Sequence, residues 1–189
     1  MTVSTIGHST RPIEEFIGML KEHGISRLVD VRTIPRSRRN PQFSRENLPG
    51  SLQKAGIEYC HMPGLGGLRH PRRDSINSAW RNASFRGYAD YMQTPEFQEN
   101  LNRLIELAAE KTTAIMCAEA VPWRCHRSLV ADALVARDIP VIEIVSATKS
   151  QPHVLTSFAR VEGERVTYPA SAAEKESTSL DLPLFGSLE

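Results

Sequence analysis

The chain has 189 residues, 40% of them hydrophobic, and its 23 basic and 22 acidic side chains leave a net charge of +1, so it can bury one core and has no global attraction to acidic partners. No apolar run is long enough to span a bilayer, and the opening MTVSTIGHSTRPIEE lacks the basic start and apolar stretch of a signal peptide. A soluble cytoplasmic protein with no membrane partner is expected, and Cys60, Cys117 and Cys125 are read as reduced thiols, metal ligands or redox groups.

Residues 3–6 form a short β-favouring run that ends at Gly7, His8, Ser9 and Thr10. Pro12, Glu14 and Glu15 then open a helix whose Ile13, Phe16, Ile17 and Leu20 share one face, and Gly24 stops it. Residues 25–31, ISRLVDV, make a second strand with Asp30 and Arg32 at its carboxyl end, followed by the long loop TIPRSRRNPQFS. A short helix is expected over 48–55, with Asn47 as its cap, Pro49 in its first turn and Gly56 as its terminator. The third strand is 57–62, IEYCHM, after which PGLGG reads as a flexible connection rather than a phosphate cradle. Helical character returns at 88–92, and Thr94, Pro95 and Glu96 start a longer helix, to residue 110, with Phe97, Leu101, Leu104, Ile105 and Ala108 inward. A buried strand at 112–116, a helix at 128–137 and a fifth strand at 141–145 complete the series.

Strands alternating with helices imply right-handed crossovers and a three-layer α/β fold: a mainly parallel sheet with helices on both faces, forming a single domain over residues 1–146. Residues 147–168 form a C-terminal extension in which 158–168 alternates around Glu162 and Gly163 as a hairpin, and the Ala-, Ser-, Glu- and Lys-rich start of 169–189 reads as a flexible tail. In such sheets ligands bind beyond the carboxyl ends of the strands. His8 follows the first strand, Asp30 and Arg32 the second, His61 the third, and Cys117 and Glu119 the fourth. His23, His70 and His153 are read as structural or exposed.

The working end is placed at 112–127, TTAIMCAEAVPWRCHR. An isolated cysteine ending a strand would read as a small core residue, but Cys117 keeps company with Glu119, Arg124, Cys125, His126 and Arg127. These groups lie between a strand end and a helix start, where free N–H groups and the helix dipole favour anions and lower the pKa of a thiol. Two arginine-rich spans, one holding Arg32, Arg36, Arg38, Arg39 and Arg45 and the other Arg69, Arg72, Arg73, Arg81 and Arg86, lie between core elements and suit forked recognition of phosphate or carboxylate.

The motifs TIGHST, LVDVRTIPRSRR, GIEYCHMPGLGG, YADYM, FQENLNRL and MCAEAVPWRCHRSLVADAL, in this order, resemble the bacterial domain of unknown function 488 family between residues 5 and 145. The resemblance implies that Gly7, His8, Ser9, Asp30, Arg32, Pro35, Cys117, Glu119, Cys125, His126 and Arg127 are the family's characteristic positions, and it carries no established reaction. A fainter likeness to rhodanese-type and cysteine-phosphatase domains supports the fold and an activated thiolate. The span from Cys117 to Arg124 is one residue longer than a phosphatase loop, and Glu119 would oppose a bound phosphate, so no reaction is carried over.

The expected function is a cysteine-dependent enzyme acting on an anionic, phosphate-bearing small molecule or nucleic acid. In it Cys117 is the thiolate, Glu119, His126 or His8 moves protons, and Arg32, Arg36, Arg124, Arg127 and Ser9 hold the anion. In the alternative, Cys117, Cys125 and His126 bind zinc or iron, although neighbouring Cys125 and His126 are awkward for one ion. In a non-enzymatic alternative the arginine loops bind nucleic acid in a DNA-repair setting. Residues 179–185, SLDLPLF, resemble the peptides by which replication and repair proteins dock on the sliding clamp, with Leu180, Leu182, Leu184 and Phe185 in the apolar positions and Ser179 where glutamine is usual. Docking on a clamp or back on the chain's own domain is expected from them.

Overall fold

The first β-favouring run becomes β1 (Val3–Gly7) in a computed structural model, which describes residues 1–36 and 38–171. It is joined by β2 (Arg27–Asp30), β3 (Glu58–His61), β4 (Thr113–Cys117) and β5 (Val141–Ile144), all parallel, and by an antiparallel edge strand, β6 (Ser150–Pro152). The order is β3-β2-β4-β1-β5-β6. Every residue of β4 is buried, as a central strand covered on both faces requires. Its register sets Gly7 beside Cys117 and Asp30 beside Met116, so three central strands end on one edge.

Alternation along the strands sorts the core into two layers. Leu28, Ala114 and Met116 face α1 (Ile13–Glu22) and α2 (Leu48–Lys54) through Phe16, Leu20, Leu48 and Leu52. Val29 and Ile115 face α3 (Ala83–Tyr91), α4 (Pro95–Glu110) and α5 (Arg127–Val135) through Tyr88, Phe97, Leu101 and Leu129. The fold is thus a three-layer α/β structure with a mainly parallel sheet. Helix α3 starts well before the apolar stretch that signals it, because Asn82 accepts hydrogen bonds from the Ser84 and Phe85 amides and caps it. Strand β6 carries no sequence signal: its three residues are exposed and it ends in a proline, a residue tolerated at a sheet edge.

Past β6 the chain forms a hairpin, β7 (Arg160–Glu162) and β8 (Arg165–Thr167), turning through Gly163 at φ +60°. Val166 and Tyr168 are buried in the core layer of α5. Asp132 on α5 is fully buried and accepts hydrogen bonds from the Tyr168 hydroxyl at 2.8 Å and the Thr156 amide at 3.0 Å, and it pairs with His153 Nε2 at 2.8 Å. The other ring nitrogen of His153 lies 2.8 Å from Glu143 on β5. Residues 147–168 are therefore bolted to the sheet and to α5 by buried polar bonds. Among the described residues no helix is long and apolar enough to cross a membrane. Leu180, Leu182, Leu184 and Phe185 lie outside the described residues.

Candidate active site

A cavity of ≈ 640 Å³ opens at the carboxyl edge of the sheet. Its wall is made by His8 and Ser9 after β1, Arg32 to Ile34 and Arg36 after β2, Gly67 and Leu68 after β3, and Cys117, Glu119, Arg124, Cys125 and His126 after β4. The loop after β4 is drawn over the end of β1. The His8 and Ser9 amides donate to the carbonyls of Cys117 and Ala118 at 3.0 and 2.9 Å, prolonging the parallel pairing past the strands. Gly7 permits the approach, since a Cβ there would sit 2.0 Å from the Glu119 carbonyl oxygen. Arg127, 1% exposed, completes the tie: its Nη2 donates to the Glu119 carbonyl at 2.9 Å and its Nη1 to Thr5 Oγ1 at 3.4 Å.

Beside this tie lies a buried charged pair. Arg32 Nε and Nη2 donate to Asp30 Oδ1 and Oδ2 at 2.8 and 2.6 Å, Nη2 also donates to the Phe43 carbonyl at 2.8 Å, and Asp30 accepts from the Tyr59 hydroxyl. Arg32 Nη1 reaches His8 Nε2 at 3.2 Å, while His8 Nδ1 lies 2.8 Å from the Ser9 carbonyl. A guanidinium can only donate and a carbonyl can only accept. These partners therefore assign His8 the neutral tautomer with its proton on Nδ1. Burial, helped by the nearby Arg32 charge and opposed by the Ser9 carbonyl, lowers its pKa to about 4. Phe43 stacks on the ring with centroids 4.2 Å apart.

The sulfurs meet at His126. Its Nε2 lies 3.2 Å from the Val31 carbonyl, which can only accept, so Nε2 carries a proton and the tautomer this selects has its lone pair on Nδ1. That Nδ1 lies 3.7 Å from Cys125 Sγ and 4.0 Å from Cys117 Sγ. The chain can place neighbours on one point because Cys125 is extended (φ −131°, ψ 143°) while His126 already turns into α5 (φ −55°, ψ −15°). Gly67 packs against the ring, and a Cβ on it would lie 2.4 Å from Nδ1. The neighbouring Cys125 sulfur, together with burial, pushes Cys117 up to about 12. The neighbouring Cys117 thiol brings Cys125 down to about 6 against burial, with help from the Arg127 charge and backbone N–H.

The sequence candidates thus divide. His8, Ser9, Arg32, Arg36, Cys117, Glu119, Arg124, Cys125 and His126 share the cavity, whereas Arg127 is buried outside its lining, with its Nη atoms on Thr5 and the loop and its Nε without a partner among the described residues. Arg32 lines the wall with its guanidinium engaged by Asp30, His8 and Phe43. Arg36 and Arg124 are exposed, and neither has an ion pair within 4.0 Å among the described residues. Glu119 is exposed with one carboxylate oxygen 3.4 Å from the Val121 amide. His61 bonds the Arg32 carbonyl instead of the cavity, and Arg72 pairs with Asp74. Reasoning from sequence missed Phe43, Gly67 and the Val31 carbonyl. The glycine density of PGLGG was the visible signal for one of them, and it marks close packing rather than flexibility: at Gly64, Gly66 and Gly67 a Cβ would meet Asn100, Thr33 and His126 within 2.4 Å.

Among families of known proteins, the one described as Domain of unknown function DUF488 matches residues 12–134, well over half of the chain. No curated protein and no solved structure matches.

Proposed function

The chain belongs to the DUF488 family, and we propose that it is a cysteine-dependent enzyme acting on an anionic, phosphate-bearing substrate. The observation that carries this reading is the convergence of two sulfurs and an imidazole on one wall of a cavity that is also lined by two exposed guanidiniums with no ion pair among the described residues. Soft donors and a lone-pair nitrogen meeting within 4.8 Å are a reactive arrangement; exposed arginines beside them would orient an anion by forked hydrogen bonds. Cys117, Cys125 and His126 form the reactive centre in this reading, Arg36 and Arg124 bind, and the exposed Glu119 carboxylate is placed to exchange protons with solvent. His8 is a positioning residue: with both ring nitrogens engaged, it fixes Arg32 and the start of the loop.

The test is turnover of a panel of nucleoside phosphates, phosphate monoesters and diesters and short single-stranded oligonucleotides, followed by mass spectrometry of the products. Turnover should be lost in Cys125→Ser and Cys117→Ser. In the Arg36→Ala, Arg124→Ala double variant KM should rise while the unfolding midpoint stays unchanged. Binding without chemical change, undiminished in Cys125→Ser, would make the cavity a binding site alone and end the enzymatic reading.

A further inference from the structure

The two sulfur-to-nitrogen edges at His126 are close to those of a metal centre. Zinc bonds of about 2.3 Å to sulfur and about 2.0 Å to nitrogen, spread tetrahedrally, set sulfur-to-nitrogen edges of roughly 3.5–3.6 Å. Here those edges are 3.7 Å and 4.0 Å, and all three donor atoms lie within 4.8 Å of one another. We propose that Cys117, Cys125 and His126 hold one zinc ion whose fourth position opens into the cavity. The proposal rests on the reading of this cluster as the reactive centre and specifies how its sulfurs act, as ligands and not as a free nucleophile.

Three further features fit. The Val31 carbonyl takes the Nε2 proton and so aims a lone pair from Nδ1 at the sulfurs, which is the backbone support that ligating histidines characteristically have. Gly67 leaves open the space in front of Nδ1, which a methyl group at 2.4 Å would fill. Two sulfurs and an imidazole with no oxygen donor suit zinc over magnesium or calcium, and three protein ligands with one free position are the pattern of catalytic zinc. Binding displaces to solvent whatever thiol protons remain; two thiolates then balance the charge of the ion. A water or substrate oxygen in the fourth position would be polarised on the wall shared by Glu119, Arg36 and Arg124.

The test uses the full chain, produced without an affinity tag. Elemental analysis should find one zinc per chain. Cobalt(II) added to chelator-treated protein should give a thiolate-to-cobalt charge-transfer band and the intense visible bands of a four-coordinate ion, both falling to background in Cys125→Ser and His126→Ala. Wild-type protein supplies a readout that needs no variant: zinc should block alkylation of Cys117 and Cys125 and leave the half-buried Cys60 reactive, as located by peptide mapping. Substoichiometric metal, no thiolate band and alkylation indifferent to zinc would overturn the site. If turnover were nevertheless lost in Cys125→Ser, the enzymatic reading would stand with the sulfurs acting free. Stoichiometric zinc without turnover of any tested substrate would instead support the site and end that enzymatic reading.

Discussion

His153 is the best place to test the physical account of the fold, because its surroundings determine both sign and size. Its side chain is 5% exposed between Asp132 Oδ1 and Glu143 Oε1, each at 2.8 Å, with Tyr168 and Thr156 also bonded to Asp132. Burial opposes its charge, but the two carboxylates outweigh burial and raise its pKa from 6.5 to about 9. A group whose pKa is raised on folding contributes its full stabilisation below the unfolded value of 6.5 and loses it as pH climbs through about 9. The displacement corresponds to about 3 kcal/mol, which partial screening by solvent brings to roughly 2 kcal/mol. His153→Gln removes the cation from between two carboxylates, and breaking a buried pair in this way costs about 3–5 kcal/mol. The assay is urea denaturation of wild type and variant at a series of pH values from about 6 to 10, with the difference between the two curves isolating His153 from other titrating groups. The difference should be largest at the acidic end and shrink towards pH 10. A difference independent of pH, or one that grows with pH, would refute the reasoning.

Three other outcomes follow from the site. Gly7→Ala sets a methyl group against the Glu119 carbonyl, so the loop must lift; a loss of about 1–3 kcal/mol is expected, with Cys117 and Cys125 alkylated faster than in wild type while Cys60 is unchanged. Asp30→Asn leaves the buried Arg32 guanidinium without its counter-charge and should cost about 3–5 kcal/mol in a denaturation experiment, as for other broken buried pairs. Gly67→Ala should weaken zinc or cobalt binding measured by competition with a coloured chelator and leave the fold's circular dichroism intact, because the three atoms nearest the new methyl group all belong to the His126 ring.

The periodicity of the chain carried the fold well because the strands and most helices are locally consistent. The β-favouring run at 112–116 becomes, one residue on, the fully buried β4, and Thr94 caps α4 through its hydroxyl, 3.3 Å from the Phe97 amide. Side-chain chemistry at strand ends also pointed to the edge of the sheet where the cavity lies, since ends of parallel strands converge whatever their order. What the sequence could not show is how the groups are spent. Arg32 and Arg36 look alike in LVDVRTIPRSRR, yet one is saturated by Asp30, His8 and Phe43 and the other is open to solvent. Cys117 and Cys125 each shift first through the other's sulfur, and in opposite directions because Arg127 lies beside Cys125 while burial adds to the rise at Cys117, a matter of ångströms. His153 gave no local signal at all, because its partners come from α5 and β5, 21 and 10 residues away.

Helix α5 connects these two kinds of information. Its first turn follows directly on Cys125 and His126, and Arg127 inside it grips the loop after β4. Its middle, at Asp132, is held by His153, Thr156 and Tyr168 from the extension. A helix is stiff over a single turn and a half, so the direction in which Cys125 and His126 leave it depends on where Asp132 is fixed. The extension beyond β5 therefore does more than cover apolar surface. By holding α5 at Asp132 it also holds the helix that Cys125 and His126 lead into, opposite Cys117 at the end of β4.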